Sequence, residues 1–322
     1  MNPLISIITA SYNKAGLIAE TIESVIRQRY MFWELIIIDD ASTDGSQAII
    51  DEYSKKDTRI KTFFEAGNRG ANYCRNIGIK ESQGEFIVFL DADDLLDKEC
   101  LTERVKVMEE NPKLDFSVHV MKIFRKDIGD NNFKWIPKSK TPLEDFLSHK
   151  LPWQTMQPIW KRQFLIDLGG FDEKFQRLQD VELHTRALLS KDLKYKLIQD
   201  APDCYYRTDD ERKNFNEYRF LERWLNSALL YCDKFKSSEH VKINKLLLGT
   251  IFQTYVQILL SYSLKKITKS EYELLEEKLI QYELVQDSGV FKKKVFKFMK
   301  FYNLYFIRIP GVNRFIKYLL IF

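Results

Sequence analysis

The sequence predicts an α/β protein: a mostly parallel central sheet with helices on both faces, followed by a C-terminal helical region. Three observations carry this expectation. Strand and helix patterns alternate through roughly the first hundred residues, at a spacing that suits parallel strands joined by crossover helices. The strand segments are short, unbroken apolar runs rich in β-branched and aromatic residues, as buried parallel strands are. From about residue 210 onward the strand–turn rhythm is gone and the pattern is helical.

Taken in order, Leu4–Ile8, Leu35–Ile38, Ile60–Phe64 and Phe86–Leu90 read as strands. Helical stretches fall near Ala15–Arg29, Ser46–Lys55 and Ala71–Glu81, with Ser42, Asp44 and Ser46 as candidate caps for the second. Leu101–Glu110 is helical, Phe116–Phe124 a strand, and Gly129–Pro142 a loop or hairpin. An acidic-aromatic region runs from Trp153 through Arg186, and Tyr195–Ile198 and Cys204–Arg207 are short strands. A boundary near Thr208-Asp209-Asp210 divides residues 1–208 from a helical region, 209–322.

Length and composition set limits. The 322 residues suffice for one large domain with an appendage, and the apolar and charged fractions are those of a folded protein. A net charge of +4 is too small to argue for nucleic acid, although Lys and Arg crowd Phe291-Lys292-Lys293-Lys294-Val295-Phe296-Lys297. Cys74, Cys100, Cys204 and Cys232 show neither CxxC pairing nor nearby His at metal spacing, which points to free thiols in a reducing compartment. Met1-Asn2-Pro3-Leu4-Ile5-Ser6 runs straight into a strand pattern without the basic and apolar regions of a signal peptide, so the expected location is the cytoplasm. Leu246–Leu264 carries no charge and approaches spanning length. Its Gly, Thr, Gln and Ser residues favour a buried helix of a helical subdomain.

Ligands of open parallel sheets bind at the carboxyl ends of strands, where strand order reverses. Three polar clusters fall at that edge: Thr9-Ala10-Ser11-Tyr12-Asn13, Asp39-Asp40-Ala41-Ser42 and Asp91-Ala92-Asp93-Asp94. Each alone has an ordinary explanation in turn or cap chemistry, and Tyr12 alone could be a packed aromatic. Their coincidence on successive strands favours a ligand site. A dinucleotide-binding turn or P-loop needs a glycine-rich first loop, whereas this one has only Gly16. A nucleotide held here would have its phosphates neutralised by a hard divalent cation, which takes oxygen ligands and typically uses one or two carboxylates plus the phosphates.

Ser6 through Asn13, Glu34 through Asp44, Asn68-Arg69-Gly70 with Cys74-Arg75-Asn76-Ile77-Gly78, and Gly84-Glu85-Phe86 through Asp94 together resemble the family 2 inverting glycosyltransferases. The resemblance covers about the first two-thirds of the chain, in order, and implies the GT-A nucleotide-sugar-binding fold. It implies donor contacts at Ala10, Tyr12, Asp40, Arg75, Asp91 and Ala92, with Tyr12 stacking on the base and Asp40 accepting the N3 proton of a uracil. Arg75 would lie against the nucleotide, and Asp91 would meet ribose or sugar hydroxyls. Asp93 would ligate Mg²⁺ or Mn²⁺ at the diphosphate, with Asp94 in a supporting role. Farther on, Leu168-Gly169-Gly170-Phe171-Asp172-Glu173 matches the family's glycine turn. Gln179-Asp180-Val181-Glu182-Leu183 with Arg186 matches its Glu-Asp element, making Asp180 the catalytic base. Gln179 stands where Glu is usual, and His184 where an aromatic is frequent. The implied reaction is a single displacement from a UDP-sugar onto a hydroxyl of a glycan or lipid-linked sugar. The competing readings are a non-catalytic sugar-nucleotide-binding scaffold and a nucleotidyltransferase.

On a helix from Phe291 to Ile307, Phe291, Val295, Phe298, Tyr302 and Tyr305 form one stripe, while Lys293, Lys294, Lys297 and Lys300 lie on the other side. Such a helix can lie in a membrane interface, so residues 291–322 are a candidate contact with the inner face of the cytoplasmic membrane. The alternative is packing on the catalytic domain with solvated lysines.

Overall fold

A computed structural model describes residues 2–208, 215–237, 240–289, 297–298 and 300–301. Contacts group the chain into two units. The first comprises Met1–Lys140, Pro152–Glu173 and Arg186–Glu211; the second comprises Thr141–Leu151, Lys174–Thr185 and Arg212–Phe322.

The first unit opens with β1 (Ile5–Ser11), α1 (Ile18–Ile26), β2 (Trp33–Asp39), α2 (Ser46–Lys56), β3 (Ile60–Phe64), α3 (Ala71–Glu81) and β4 (Phe86–Phe89). These match the expected elements, although α1 begins later than Ala15 because Asn13–Leu17 form a bonded loop. β5 (Leu95–Leu96), α4 (Cys100–Glu110), β6 (Phe116–Val118), β7 (Met121–Phe124) and β8 (Lys134–Trp135) follow. In the second unit α5 spans Pro142–Leu147; β9 (Pro158–Lys161) and α6 (Arg162–Asp167) return to the first. Then come α7 (Gln179–Leu189), β10 (Tyr195–Leu197) and β11 (Cys204–Arg207).

The main sheet has the order β10-β6-β9-β4-β1-β2-β3. β1, β2, β3 and β4 are mutually parallel neighbours, and β9 runs antiparallel between β4 and β6. The chain steps outward from β1 to β2 and β3, then returns to place β4 on the other side of β1, so strand order reverses between β1 and β4. A crevice at that point is where such sheets take ligands.

Buried apolar residues alternate between the two faces, as a covered parallel sheet requires. Ile5, Ile7, Leu35, Ile37 and Val88 join Ile18, Ile22 and Val25 of α1 in one core cluster. On the other face α3 packs on β1 and β2 at Gly78, where an added Cβ would lie 2.3 Å from Ile8 Cγ2 and 3.2 Å from Ile38 Cδ1. The glycine in Asn76-Ile77-Gly78 is therefore a close-packing residue. Gly78→Ala should cost about 1–3 kcal/mol, the usual penalty for overpacking a filled core, read as a lower denaturant midpoint at unchanged slope.

The single strand expected over Phe116–Phe124 is two strands in different sheets. β6 pairs with β9 and β10, whereas β7 joins a second sheet of order β5-β11-β7-β8. Between them, His119 N–H donates to the Gln157 carbonyl (3.0 Å), and Gln157 Nε2 donates to the His119 carbonyl (2.7 Å). Asp203 N–H donates to the Val120 carbonyl (3.1 Å). These distant partners take the backbone groups that would continue one ladder. β10 pairs parallel with β6 and β11 parallel with β7, so the chain crosses between the sheets in the same sense twice.

Beside this crossover lies a buried charge cluster. Arg104 is fully buried and donates from Nε and Nη2 to Asp203 (2.7 and 2.8 Å) and from Nη1 to the Met156 carbonyl (2.9 Å). His119 meets Ser117 Oγ at 3.0 Å through Nε2 and Asp203 Oδ2 at 3.5 Å through Nδ1. Burial pushes His119 down from 6.5 to about 4. A histidine depressed on folding contributes stability that is complete above its unfolded value and is lost as pH falls through the interval to the folded one. Unfolding free energy of the first unit should therefore drop between pH 6.5 and 4, with a slope approaching about 1.4 kcal/mol per pH unit from His119. His119→Phe should flatten that interval in denaturant titrations.

The second unit is helical: α5, the first residues of α7, α8 (Glu217–Phe235), α9 (Val241–Ser263), α10 (Lys269–Gln281) and α11 (Glu283–Gln286). α9 is long and apolar enough to span a membrane, yet 67% of its apolar window is buried inside the protein, and it packs against α5, α8 and α10. The polar residues interrupting its sequence are used internally. Thr250 Oγ1 donates to the Leu147 carbonyl (2.9 Å), and Tyr255 OH donates to Glu276 (2.7 Å). Glu276 also accepts from Tyr272 and from Lys300 Nζ, the latter at 2.6 Å. Lys300, read on the basic side of the 291–307 stripe, is thus paired within this unit, while Phe298 and Phe301 are exposed. The remainder of the 291–322 stripe lies outside the described residues.

Candidate active site

All the candidate site residues singled out from sequence, except Asp180, lie in the first unit. β1 ends at Ser11, β2 at Asp39 and β4 at Phe89, so Tyr12, Asp40 and Asp91 follow the carboxyl ends of three adjacent parallel strands. Ala10 sits in β1 opposite Ile38, and Ala92 is buried in the core behind the carboxylates. Tyr12 is 46% exposed, directly after the end of β1.

The two carboxylates after β2 have separate tasks. Asp39 is fully buried and accepts from Ser42 N–H and Gln47 Nε2 (both 2.8 Å) and from Ser42 Oγ (2.6 Å). It is a turn residue, as its position before Ser42 suggested. Asp40 accepts from Arg69 N–H (2.6 Å) and Gly70 N–H (2.8 Å), clamping the Asn68-Arg69-Gly70 loop that leads into α3. Its carboxylate keeps lone pairs beyond those two bonds.

The downstream motif residues also acquire physical roles. Asn76 behaves as a surrogate backbone: Phe171 N–H donates to its Oδ1 (2.8 Å), and its Nδ2 donates to the Phe171 carbonyl (2.9 Å). Asn72 Nδ2 donates to the Asp172 carbonyl (2.9 Å), and Arg186 donates to the Leu168 and Gly170 carbonyls (2.5 and 2.6 Å). Gly169 and Gly170 have φ of +78° and +66°, so the turn needs glycine, and a Cβ on Gly170 would meet Asn76 Oδ1 at 2.5 Å. Asn76→Ala would strand both the Phe171 N–H and its carbonyl. We expect a loss of about 1–3 kcal/mol, measurable by thermal melting.

At the third cluster, Arg75 is buried, lies over the Phe171 ring at 5.3 Å and donates to Asp91 Oδ1 (2.7 Å). Lys14 Nζ meets Asp93 Oδ2 at 2.5 Å. Asp94 is buried and accepts from Arg207 N–H (2.7 Å). Arg207 Nε donates to the Asp93 carbonyl (2.9 Å), and its Nη2 pairs with Glu20. Arg207 was read from sequence only as a strand end, yet it fastens the acidic turn to β11. Burial, then the charges on Asp91 and Asp93, push the Asp94 carboxyl well above the ordinary carboxylate range.

This last observation tests the site for a divalent cation. Burial first, and the Asp91 and Asp93 charges second, push Asp94 toward its neutral form, while Arg75 and Lys14 already lean on the other two carboxylates. Among the described residues no preformed cluster of three or more His, Cys, Asp or Glu surrounds a metal position. Asp91 and Asp93 are oxygen donors of the kind a hard divalent cation takes, one or two carboxylates with ligand oxygens completing the shell.

Asp180 belongs to the second unit. It stands in the first turn of α7, after Leu178 at φ +59°, and its Oδ1 accepts from Val181 N–H (2.9 Å). Gln179 Nε2 turns back to the Gln176 carbonyl (3.4 Å). Beneath Asp180, Glu182 is fully buried and paired with Lys234 (2.7 Å), and Thr185 Oγ1 meets Tyr231 OH at 2.6 Å. His184 is buried against Phe146, with ring centroids 5.2 Å apart, so it fills an aromatic's place by packing. The four cysteines are buried free thiols, and burial pushes Cys74 up to about 12.

Comparison with known proteins places this geometry. Residues 6–165 match the family model described as Glycosyl transferase family 2. The putative teichuronic acid biosynthesis glycosyltransferase TuaG of Bacillus subtilis is 42% identical over 108 residues, 34% of this chain and 43% of that protein. Glycosyltransferase GlyG of Streptococcus pneumoniae is 30% identical over 163 residues, 51% of each chain. This chain thus spans about half the length of the curated relatives it matches. The crystal structure of S. aureus TarS 1–349 in complex with UDP-GlcNAc superposes with a TM-score of 0.64 at 20% identity, covering 94% of this chain and 89% of that one. A mannosyltransferase, PcManGT from Pyrobaculum calidifontis, in complex with GDP-Man and Mn²⁺, gives 0.54 at 17% identity, over 95% and 88%. With the matched family model beginning in β1 and running through α4 and β9 into α6, and with the strand-end carboxylates gathered at the reversal of strand order, the chain carries a glycosyl transferase family 2 domain over residues 6–165 and has the GT-A fold.

Proposed function

We propose that this protein is an inverting glycosyltransferase that moves a sugar from a UDP-sugar to a hydroxyl of a glycan or lipid-linked sugar in cell-envelope polysaccharide synthesis. One observation carries the reading: Tyr12, Asp40, Asp91 and Asp93 converge at the strand-order reversal beside β1, backed by Arg75 and Lys14. Family membership and the teichuronic acid relative support the reaction class and the envelope setting. The superposable TarS crystal with UDP-GlcNAc supports the choice of donor. Free buried thiols accord with action at the cytoplasmic side of the membrane.

In this reading Tyr12 stacks on the uracil and Asp40 accepts its N3 proton with a lone pair left over from the Arg69 and Gly70 amides. Asp91, oriented by Arg75, receives ribose or sugar hydroxyls. Asp93 and the donor diphosphate would hold Mg²⁺ or Mn²⁺, which as a Lewis acid offsets charge on the leaving group. Asp180 takes the acceptor hydroxyl proton as that oxygen forms its bond to the anomeric carbon. The carbon–oxygen bond to the diphosphate breaks with its electron pair going to UDP. Attack from the opposite face inverts the centre, and no enzyme nucleophile takes part.

Two assays test this. Thermal melting with a panel of nucleotide sugars and Mn²⁺ should show stabilisation by UDP-sugars and none by GDP-sugars. UDP release from the stabilising donor should then depend on Mn²⁺ or Mg²⁺ and stop in EDTA. Stabilisation by GDP-sugars alone would refute the Asp40 assignment, and pyrophosphate as product would indicate nucleotidyl transfer.

A further inference from the structure

In the sequence Lys14 belongs to a glycine-poor loop, Asn13-Lys14-Ala15-Gly16, unsuited to cradle phosphates. In the structure its backbone is held by several hydrogen bonds, whereas its ammonium makes a partly exposed ion pair with Asp93. Asn13 adopts φ +52° and its N–H donates to Ser42 Oγ (2.8 Å); Thr43 N–H donates to Asn13 Oδ1 (2.8 Å). Lys14 N–H donates to Ser46 Oγ (2.8 Å), and Ala15 N–H donates to Asp44 Oδ2 (3.0 Å). Leu17 and Ile18 N–H both return to the Lys14 carbonyl (2.9 Å). From this anchored Cα a four-carbon tether carries the charge across to Asp93, in a pair where both side chains keep water access (34% and 27% exposed).

The neighbouring cations differ. The Arg75 side chain, paired with Asp91, is only 9% exposed, and Arg207 is tied at once to Asp93, Glu20 and the Phe124 ring. Neither can move without breaking a buried arrangement. Among the described residues Lys14 makes one ion pair, to Asp93, from a flexible stem with solvent at its tip, and that carboxylate is the one assigned to the ion. A metal approaching Asp93 must displace it, and a displaced ammonium on an anchored tether stays within reach of whatever anion arrives with the metal.

We infer that Lys14 is an exchangeable counterion: it neutralises Asp93 in the donor-free protein, yields that carboxylate to the divalent ion, and moves onto the donor diphosphate. This rests on the donor reading above. The two halves give effects of opposite sign. Lys14 competes with the free metal, so its removal tightens metal binding alone. It adds a charged hydrogen bond to the diphosphate, so its removal weakens UDP in the presence of metal.

The test uses the full chain as wild type, Lys14→Met, Lys14→Arg and Asp93→Asn, each checked for an unchanged melting midpoint. Free Mn²⁺ is titrated by electron paramagnetic resonance, and UDP at saturating Mn²⁺ by calorimetry. Lys14→Met should bind Mn²⁺ alone about 2- to 5-fold more tightly, the worth of a partly exposed ion pair. It should bind UDP at least about ten-fold more weakly, the worth of a hydrogen bond to a charged group. Lys14→Arg should stay near wild type in both. If Asp93→Asn loses Mn²⁺ while Lys14→Met leaves both affinities unchanged, or moves both in one direction, the exchange is overturned and the donor reading stands. If Asp93→Asn binds Mn²⁺ and UDP as wild type does, the metal assignment falls and takes the exchange with it.

Discussion

Asp180→Asn should lower the turnover number for UDP release with acceptor by about 10²- to 10⁴-fold, the ordinary worth of a positioned general base. The donor KM should change little, because Asp180 is assigned to the acceptor proton. The substitution is nearly isosteric and keeps an oxygen that can accept from Val181 N–H, as Asp180 Oδ1 does at 2.9 Å, so the start of α7 should survive. Loss of turnover with an unchanged melting midpoint would mark a chemical role. Equal rates for the two proteins would remove Asp180 from the reaction and leave it as a helix-start carboxylate favoured by the dipole.

The second large effect concerns stability. Asp203→Leu would leave the Arg104 guanidinium, which has no exposed surface, without its bidentate partner between the two sheets. Removing one member of a buried pair typically costs about 3–5 kcal/mol, so this variant should unfold at markedly lower denaturant. Pairing it with Arg104→Met should recover much of the loss, since an apolar pair carries no uncompensated charge. pH adds a check with a definite sign. Burial raises the Asp203 carboxyl, but the Arg104 charge outweighs it and holds the group below the usual range. Such a carboxylate contributes stability that is present above its unfolded value and lost as pH falls through the folded one. Acid sensitivity below about pH 4 should therefore be blunted in the double variant.

The parts of the molecule legible in the sequence are those set by local pattern. β1 through β4 are short apolar runs whose composition alone marks burial on both faces, and their alternation with helices dictates parallel pairing. The carboxylates at their ends were equally visible. What each carboxylate does was not. Asp39 and Asp40 are adjacent and chemically identical, and only the positions of Ser42 and Gln47 on one side and the Arg69 and Gly70 amides on the other separate turn former from loop clamp. The break between β6 and β7 was hidden because His119 and Val120 are held by Gln157 and Asp203, far away in the chain. The roles of Lys14 and Arg207 were hidden for the same reason. Each gains its meaning from a turn at Asp93 and Asp94 that folding brings to it. The motif residues Asn76 and Gly78 were recognised by resemblance, and the structure supplies their physics: one ties down the Gly170-Phe171 turn, the other lets α3 lie against Ile8.

The first unit also contains a cavity of about 610 Å³ lined by Glu103, His119, Lys122, Asp203 and Tyr205, and none of the strand-end residues assigned to the donor lines it. That gives the central claim a direct rival location. The decisive measurement is a crystal structure of the chain with UDP and Mn²⁺. The account predicts the uracil against Tyr12 with N3 facing Asp40, the ribose beside Asp91, the ion on Asp93, and Lys14 Nζ moved from that carboxylate to the diphosphate. UDP bound in the His119 cavity, or at the β1–β4 crevice with the ion remote from Asp93, would contradict it.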